Sequence, residues 1–134
     1  MPEFLTKEWL NSFKEKLNTD SQYAQIAQNW EGDVNMKIEP GNTLSEPVTI
    51  YFDLWHGKCR DAYFIENGNQ KEAAFALNGK FDDYIRILTG DLHPMQAMLT
   101  RKLNVKGNMA LLMRNVPTVL DFVRCAQEVT EISE

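Results

Sequence analysis

His56, Lys58 and Cys59 bring an imidazole, an amine and a thiol into the short run His56-Gly57-Lys58-Cys59. That grouping could serve as a metal corner or as a thiol beside a base. A metal site needs three or four ligands and a nucleophile needs its full set of partners, and nothing nearby supplies either at a familiar spacing. An ordinary hairpin turn accounts for the same residues. The other histidine, His93, precedes Pro94, where capping or turning the chain is the simpler role. Gly79, Gly90 and Gly107 are too scattered to cradle a phosphate. Asp82 and Asp83 sit at the front of a helical stretch, where the helix dipole favours them. The residues therefore point to no catalytic set, no metal and no cofactor, and the chain is not expected to be an enzyme.

The elements around these residues are clearer than the chemistry. Residues 6–17 read as a helix with Thr6 as cap and Trp9, Leu10, Phe13 and Leu17 on one face. Asp20 or Ser21 can cap a second short helix through Trp30. Val34, Met36 and Ile38 alternate with polar residues, the period of a strand with one wet face. A second strand is expected over 47–55, with Ile50 and Phe52 on its apolar side, and a third over 59–66. Asn67-Gly68 is a hairpin signal, and a fourth strand follows over 72–78 with Phe75 and Leu77 on one face. A helix over 81–89 stops at Gly90, Pro94 starts another, and residues 102–106 form a short strand. Asn108 can cap a helix from Met109, whose stripe is Met109, Leu112, Met113 and Val116. Pro117 should kink or restart that helix before the apolar face of Val119, Leu120 and Val123.

Bulk properties narrow the classes. A chain of 134 residues is the size of one domain, 1–134, and buries roughly two-thirds of its unfolded surface, enough for a core without staples. A net charge of −5 with no basic run argues against nucleic acid as the main partner. No stretch approaches the roughly 20 apolar residues of a membrane span, so stable membrane insertion is not expected. Cys59 and Cys125 lie far apart with no framework spacing, and the N-terminus lacks a signal-peptide core, which together read as a reduced, cytoplasmic setting.

The order Tyr84, Leu88, Gly90, Pro94, Ala97, Lys102, Leu103, Val105, Gly107, Asn108, Met109 resembles the C-terminal signature of the sterol carrier, or non-specific lipid transfer, protein family. The resemblance implies a single α+β domain in which helices cover one face of a mixed sheet of about five strands. It also implies an apolar tunnel between them for a sterol, fatty acid or acyl-CoA. Positions matching that tunnel are Ile50, Phe52, Phe75, Leu77, Tyr84, Leu88, Met95, Met98, Leu99, Val105, Met109, Leu112, Met113, Val116 and Leu120. Unbranched methionines conform to ligands of varied shape, although such stripes more often build core. Arg86, Arg101, Lys102, Lys106 and Arg114 are the nearest candidates for a carboxylate or phosphate, with a solvated surface the simpler role for each. Arg101 stands where many members have glycine. The implied partner is a lipid or lipid-like small molecule. The alternatives are an interaction or oligomerisation module, such as a homodimer using Tyr51 and Trp55, or an accessory domain of a lipid-metabolising enzyme. The chain lacks the small-basic-leucine ending that many peroxisomal members carry.

Overall fold

A computed structural model describes residues 3–41, 43–66 and 72–131. The element order is α1 (Lys7–Thr19), α2 (Ser21–Ile26), β1 (Val34–Glu39), β2 (Val48–Trp55), β3 (Lys58–Ile65), β4 (Phe75–Lys80), α3 (Phe81–Leu88), α4 (Pro94–Leu99), β5 (Leu103–Lys106), α5 (Met109–Arg114) and α6 (Val116–Val129). The strands form one mixed sheet in the order β3-β2-β1-β4-β5, with β1 and β4 parallel and the other neighbours antiparallel. The expected α+β class and five-stranded mixed sheet are what the chain adopts.

Alternation decides which face is covered. Val34, Met36 and Ile38 are buried on β1, and their cross-strand partners Phe52, Ile50, Phe75 and Leu77 stand on the same side. The helices pack on that side. Trp9, Leu10, Phe13 and Leu17 of α1 are all buried, as the i, i+4 spacing of that helix requires. Thr6 and Asp20 accept the amides of Trp9 and Tyr23, so both expected caps form and the chain turns sharply between α1 and α2.

The caps in the second half follow the same logic. Asn108 accepts the amide of Leu111, and a ring nitrogen of His93 accepts that of Met95. Gly90 takes φ +83° after α3. Pro117 lies in the first turn of α6, and Asn115 separates α5 from α6, so the proline restarts the helix rather than kinking it. His56 and Gly57 both have positive φ (50° and 76°) between the paired residues Trp55 and Lys58, forming a two-residue hairpin turn. A Cβ on Gly57 would meet the Ala24 carbonyl oxygen at 2.7 Å.

Three expectations need correction or fall elsewhere. β4 begins at Phe75, not at residue 72, because Asp33 sets its start. The Asp33 carboxylate accepts the amide of Ala74 at 2.7 Å and its carbonyl accepts that of Phe75 at 3.1 Å. Tyr51 is not part of an exposed patch. It is buried on the outer sheet face, its ring tilted against that of Tyr63 and its hydroxyl donating to Asp33 at 2.8 Å, while Arg60 lies over the Trp55 ring. The Asn67-Gly68 signal lies outside the described residues.

Candidate functional site

Between sheet and helices lie two wholly apolar cavities, of about 80 and 70 Å³. The first is walled by Phe4 and by α1 (Trp9, Phe13), the sheet (Met36, Leu77, Leu103), α3 (Tyr84, Ile87, Leu88), α4 (Pro94, Met98) and α6 (Val119, Phe122, Val123, Ala126). The second is walled by Tyr23, Trp30, Val34, Leu54, Phe75, Leu77, Met98, Val105, Leu112, Thr118, Val119 and Phe122. Leu77, Met98, Val119 and Phe122 belong to both. They form a partition between the two cavities.

The partition has a stiff side and a soft side. Phe122 packs against Phe13 and Phe52 with ring centroids 4.9 and 5.5 Å away, and those two rings are themselves 5.5 Å apart. Met98 is half-buried at the end of the six-residue α4 and is unbranched, so it can change rotamer at little cost. Gly107 helps to place Phe75, a wall of the second cavity. At φ +141° it lets the chain pass where a Cβ would stand 2.5 Å from the Phe75 ring.

Among the described residues no charged side chain lines either cavity. Tyr84 is the polar exception in the first. Burial pushes its hydroxyl pKa up, keeping it neutral, and it donates to the Lys37 carbonyl at 3.2 Å. Arg86 is paired with Asp91 at 3.1 Å on the surface. A larger concavity of about 590 Å³ lies across the outer sheet face, bounded by Asn35, Lys37, Asn78, Asn104 and Lys106 among others. Amides and amines there would be desolvated by an apolar ligand, so size does not make it the better candidate.

The structure brings Phe75, Leu77, Tyr84, Leu88, Met98, Val105 and Leu112 to the cavity walls. It does not bring the others. Ile50 and Phe52 are fully buried and border neither cavity, although Leu54 of the same strand reaches the second. Leu99, Met109 and Met113 are exposed by 77%, 41% and 51%, because Leu112 takes the inward face of α5 and Met98 that of α4. Met95, Val116 and Leu120 are half-buried and border neither cavity. Sequence reasoning missed Trp9, Phe13, Val119, Phe122 and Val123. The i, i+4 pairs Trp9/Phe13 and Val119/Val123 were the available signal, since both stripes had to face the same sheet.

The remaining chemistry is structural. Cys59 and Cys125 are free and buried. Burial, the dominant cause for each, pushes their thiols up to about 12 and about 11, so neither is a thiolate near neutrality. Asp20, Asp121 and Cys125 converge closely enough to hold a cation. The Arg124 guanidinium already fills that role, donating to Asp20 at 2.7 Å and to Asp121 at 2.8 Å, with Lys16 on Asp20 at 3.0 Å. His56 is engaged by the Gln28 carbonyl and Glu31 at 2.8 and 2.6 Å.

The comparisons agree with this architecture. Residues 10–119 match the model of the SCP-2 sterol transfer family. The sterol carrier protein 2 of Arabidopsis thaliana is 24% identical over 110 residues, covering 82% of this chain and 85% of that protein. A crystal structure of a sterol carrier protein 2 superposes with a TM-score of 0.86 at 30% identity, covering 96% of this chain and all of the other. A more distant neighbour, the sterol carrier protein 2 of Aedes aegypti solved with the C16 fatty acid palmitate, shares the fold with a TM-score of 0.55 at 20% identity, covering 88% of this chain and 93% of that one. With the signature at 84–109 and the family match over most of its length, this chain belongs to the SCP-2 sterol transfer family.

Proposed function

We propose that this chain, acting as a single domain over 1–134, binds one fatty-acid-like or sterol-like molecule in the pinched passage and carries it without chemical change. The observation that carries this reading is the pair of apolar cavities that share Leu77, Met98, Val119 and Phe122, which we read as one passage pinched at those side chains. Palmitate bound by the Aedes aegypti relative supports a fatty acid as the first ligand to try. Each methylene removed from water contributes about 0.8 kcal/mol, ample for micromolar binding after the cost of association.

The volumes define what binding requires. Ligand pockets usually span roughly 300–1,000 Å³, and an apolar cavity of about 150 Å³ suffices only for something like benzene. The present form is therefore closed, and a long chain enters by swinging Met98 aside and shifting α4 and α5. With no charge inside, a carboxylate or thioester end stays at the mouth.

Native mass spectrometry of freshly purified protein, with solvent extraction and with added palmitate or cholesterol, tests the proposal. One lipid-sized adduct per chain is the expected result. Absence of any adduct, together with failure to bind fluorescent fatty-acid and sterol probes, would favour a second reading. The small cavity volumes are what favour that reading, an interaction module whose passage is filled.

A further inference from the structure

The outer face of the sheet has two halves of different character. On β2 and β3 it carries Thr49, Tyr51, Tyr63 and Ile65, residue types that favour strands. On β1, β4 and β5 it carries Asn35, Asn78 and Asn104, a type that strands disfavour. All three alternate with residues that face the helices, so neither strand propensity nor the core calls for asparagine there. A local rule broken on three adjacent strands marks a place where something other than folding sets the residues.

The register fixes how these residues stand. One row across the sheet runs Lys37, Asn78, Asn104, and the next runs Asn35, Ala76, Lys106. The two lysines thus occupy opposite corners, about 12 Å apart at Cα by strand spacing and rise, so both ammonium groups can reach one molecule between them. Ala76 has no side chain beyond Cβ and leaves a hollow between the rows, part of the concavity of about 590 Å³ across this face. That volume falls in the small-molecule range of roughly 300–1,000 Å³. Among the described residues no carboxylate lines it. Among the same residues Lys106 has no ion pair, Lys37 touches Glu39 only at 3.8 Å, and the Asn78 and Asn104 carboxamides have no hydrogen-bond partner. In a chain of net charge −5, this is a locally cationic hollow rich in donors.

We propose that the hollow binds a small phosphate monoester with a hydroxyl-rich body, the chemistry of a sugar phosphate, separately from the lipid passage. The doubly charged phosphate sits over Ala76, where Lys37 and Lys106 converge on it with charge-assisted hydrogen bonds. The Asn78 and Asn104 carboxamides, each both donor and acceptor, serve the hydroxyls of the body. An apolar ligand is disfavoured by the amines and amides it would desolvate. The sheet lies between hollow and passage, so no helix has to move for the ester to bind.

Isothermal titration calorimetry of the full chain with glucose 6-phosphate, glucose and inorganic phosphate tests this. The expected result is saturable binding of one glucose 6-phosphate per chain, weaker binding of inorganic phosphate and none of glucose. Lys37→Gln/Lys106→Gln should weaken it roughly tenfold or more. Ala76→Leu, at an outward position, should abolish it with thermal unfolding unchanged, and Arg114→Gln on α5 should have no effect. No saturable binding of glucose 6-phosphate, glucose or phosphate binding as tightly, or an equal loss in Arg114→Gln would overturn the proposal. So would binding of phosphatidylinositol vesicles in place of the soluble ester, which would assign the hollow to a lipid headgroup. Side-chain amide NMR signals of Asn78 and Asn104 should shift with the ester; shifts confined to the helices would place the ligand elsewhere and overturn the site. Palmitate binding on the same samples should be unchanged by glucose 6-phosphate, and competition between the two would overturn a separate site.

Discussion

The two ends of the helical layer are held by different forces. At one end α1, α2 and α6 meet around Arg124, which grips Asp20 and Asp121, while Lys16 bridges Asp20 and Glu128 and Gln22 donates to Asp121 at 2.7 Å. Trp9 adds a buried bond to Thr130, and Gln127 of α6 reaches the Ile87 carbonyl. At the other end α4 and α5, six residues each, lie against β5 and against α6 respectively, with caps as their main polar fixings. Directional bonds resist sliding, whereas a few apolar contacts with an exposed back allow it. In the proposed carrier the passage therefore opens on the α4–α5 side, because the network holds α6 and the Phe122 side of the partition.

The largest expected effect comes from removing the centre of the rigid end. Arg124→Ala leaves the buried Asp121 without its counter-charge and Asp20 with Lys16 alone, and should cost about 3 kcal/mol in urea unfolding. A loss below about 1 kcal/mol would mean that the network does not anchor α6.

On the soft end the two sides of α5 should differ. Leu112→Ala deletes a buried cavity wall and should cost about 2–3 kcal/mol while loosening ligand binding. Met113→Ala, one residue on, should stay within about 0.5 kcal/mol and leave ligand binding intact. Equal effects would mean that the inward and outward sides of α5 are wrongly assigned.

Acid should act on the rigid end. The Arg124 hydrogen bond, then the Tyr23 amide, hold the Asp20 carboxyl well below the usual carboxylate range. A depressed carboxyl gives its full stabilisation above its unfolded value near about 4, and loses it as pH falls toward the folded value. Stability should therefore decline below about pH 4, and Asp20→Asn should flatten that part of the profile. An unchanged slope in the variant would remove Asp20 from the account. Asn108→Ala should cost about 1 kcal/mol from the lost α5 cap, with ligand exchange quickened more than stability is lowered.

Much of the fold was readable because its signals are local. Thr6, Asp20, His93 and Asn108 cap where their side chains can reach the next turn, and the alternation in β1 names its wet face directly. The candidate site was less readable because lining depends on which residue of an apolar helix turns inward. In α5 both Met109 and Met113 fit the stripe, yet Leu112 is the one that enters. Ile50 and Phe52 lie on the same strand as Leu54, yet only Leu54 reaches a cavity, a matter of how the helices pack that no periodicity contains. The Arg124 network joins Lys16, Asp20, Gln22, Asp121 and Glu128, residues separated by most of the chain, and was invisible for the same reason.

Amide hydrogen exchange with and without palmitate tests the division most directly. Amides of α4 and α5 should exchange faster than those of α6 in the free protein, and palmitate should slow the α4–α5 amides selectively. Faster exchange in α6, or protection spread evenly over all the helices on adding palmitate, would contradict a passage that opens on the α4–α5 side.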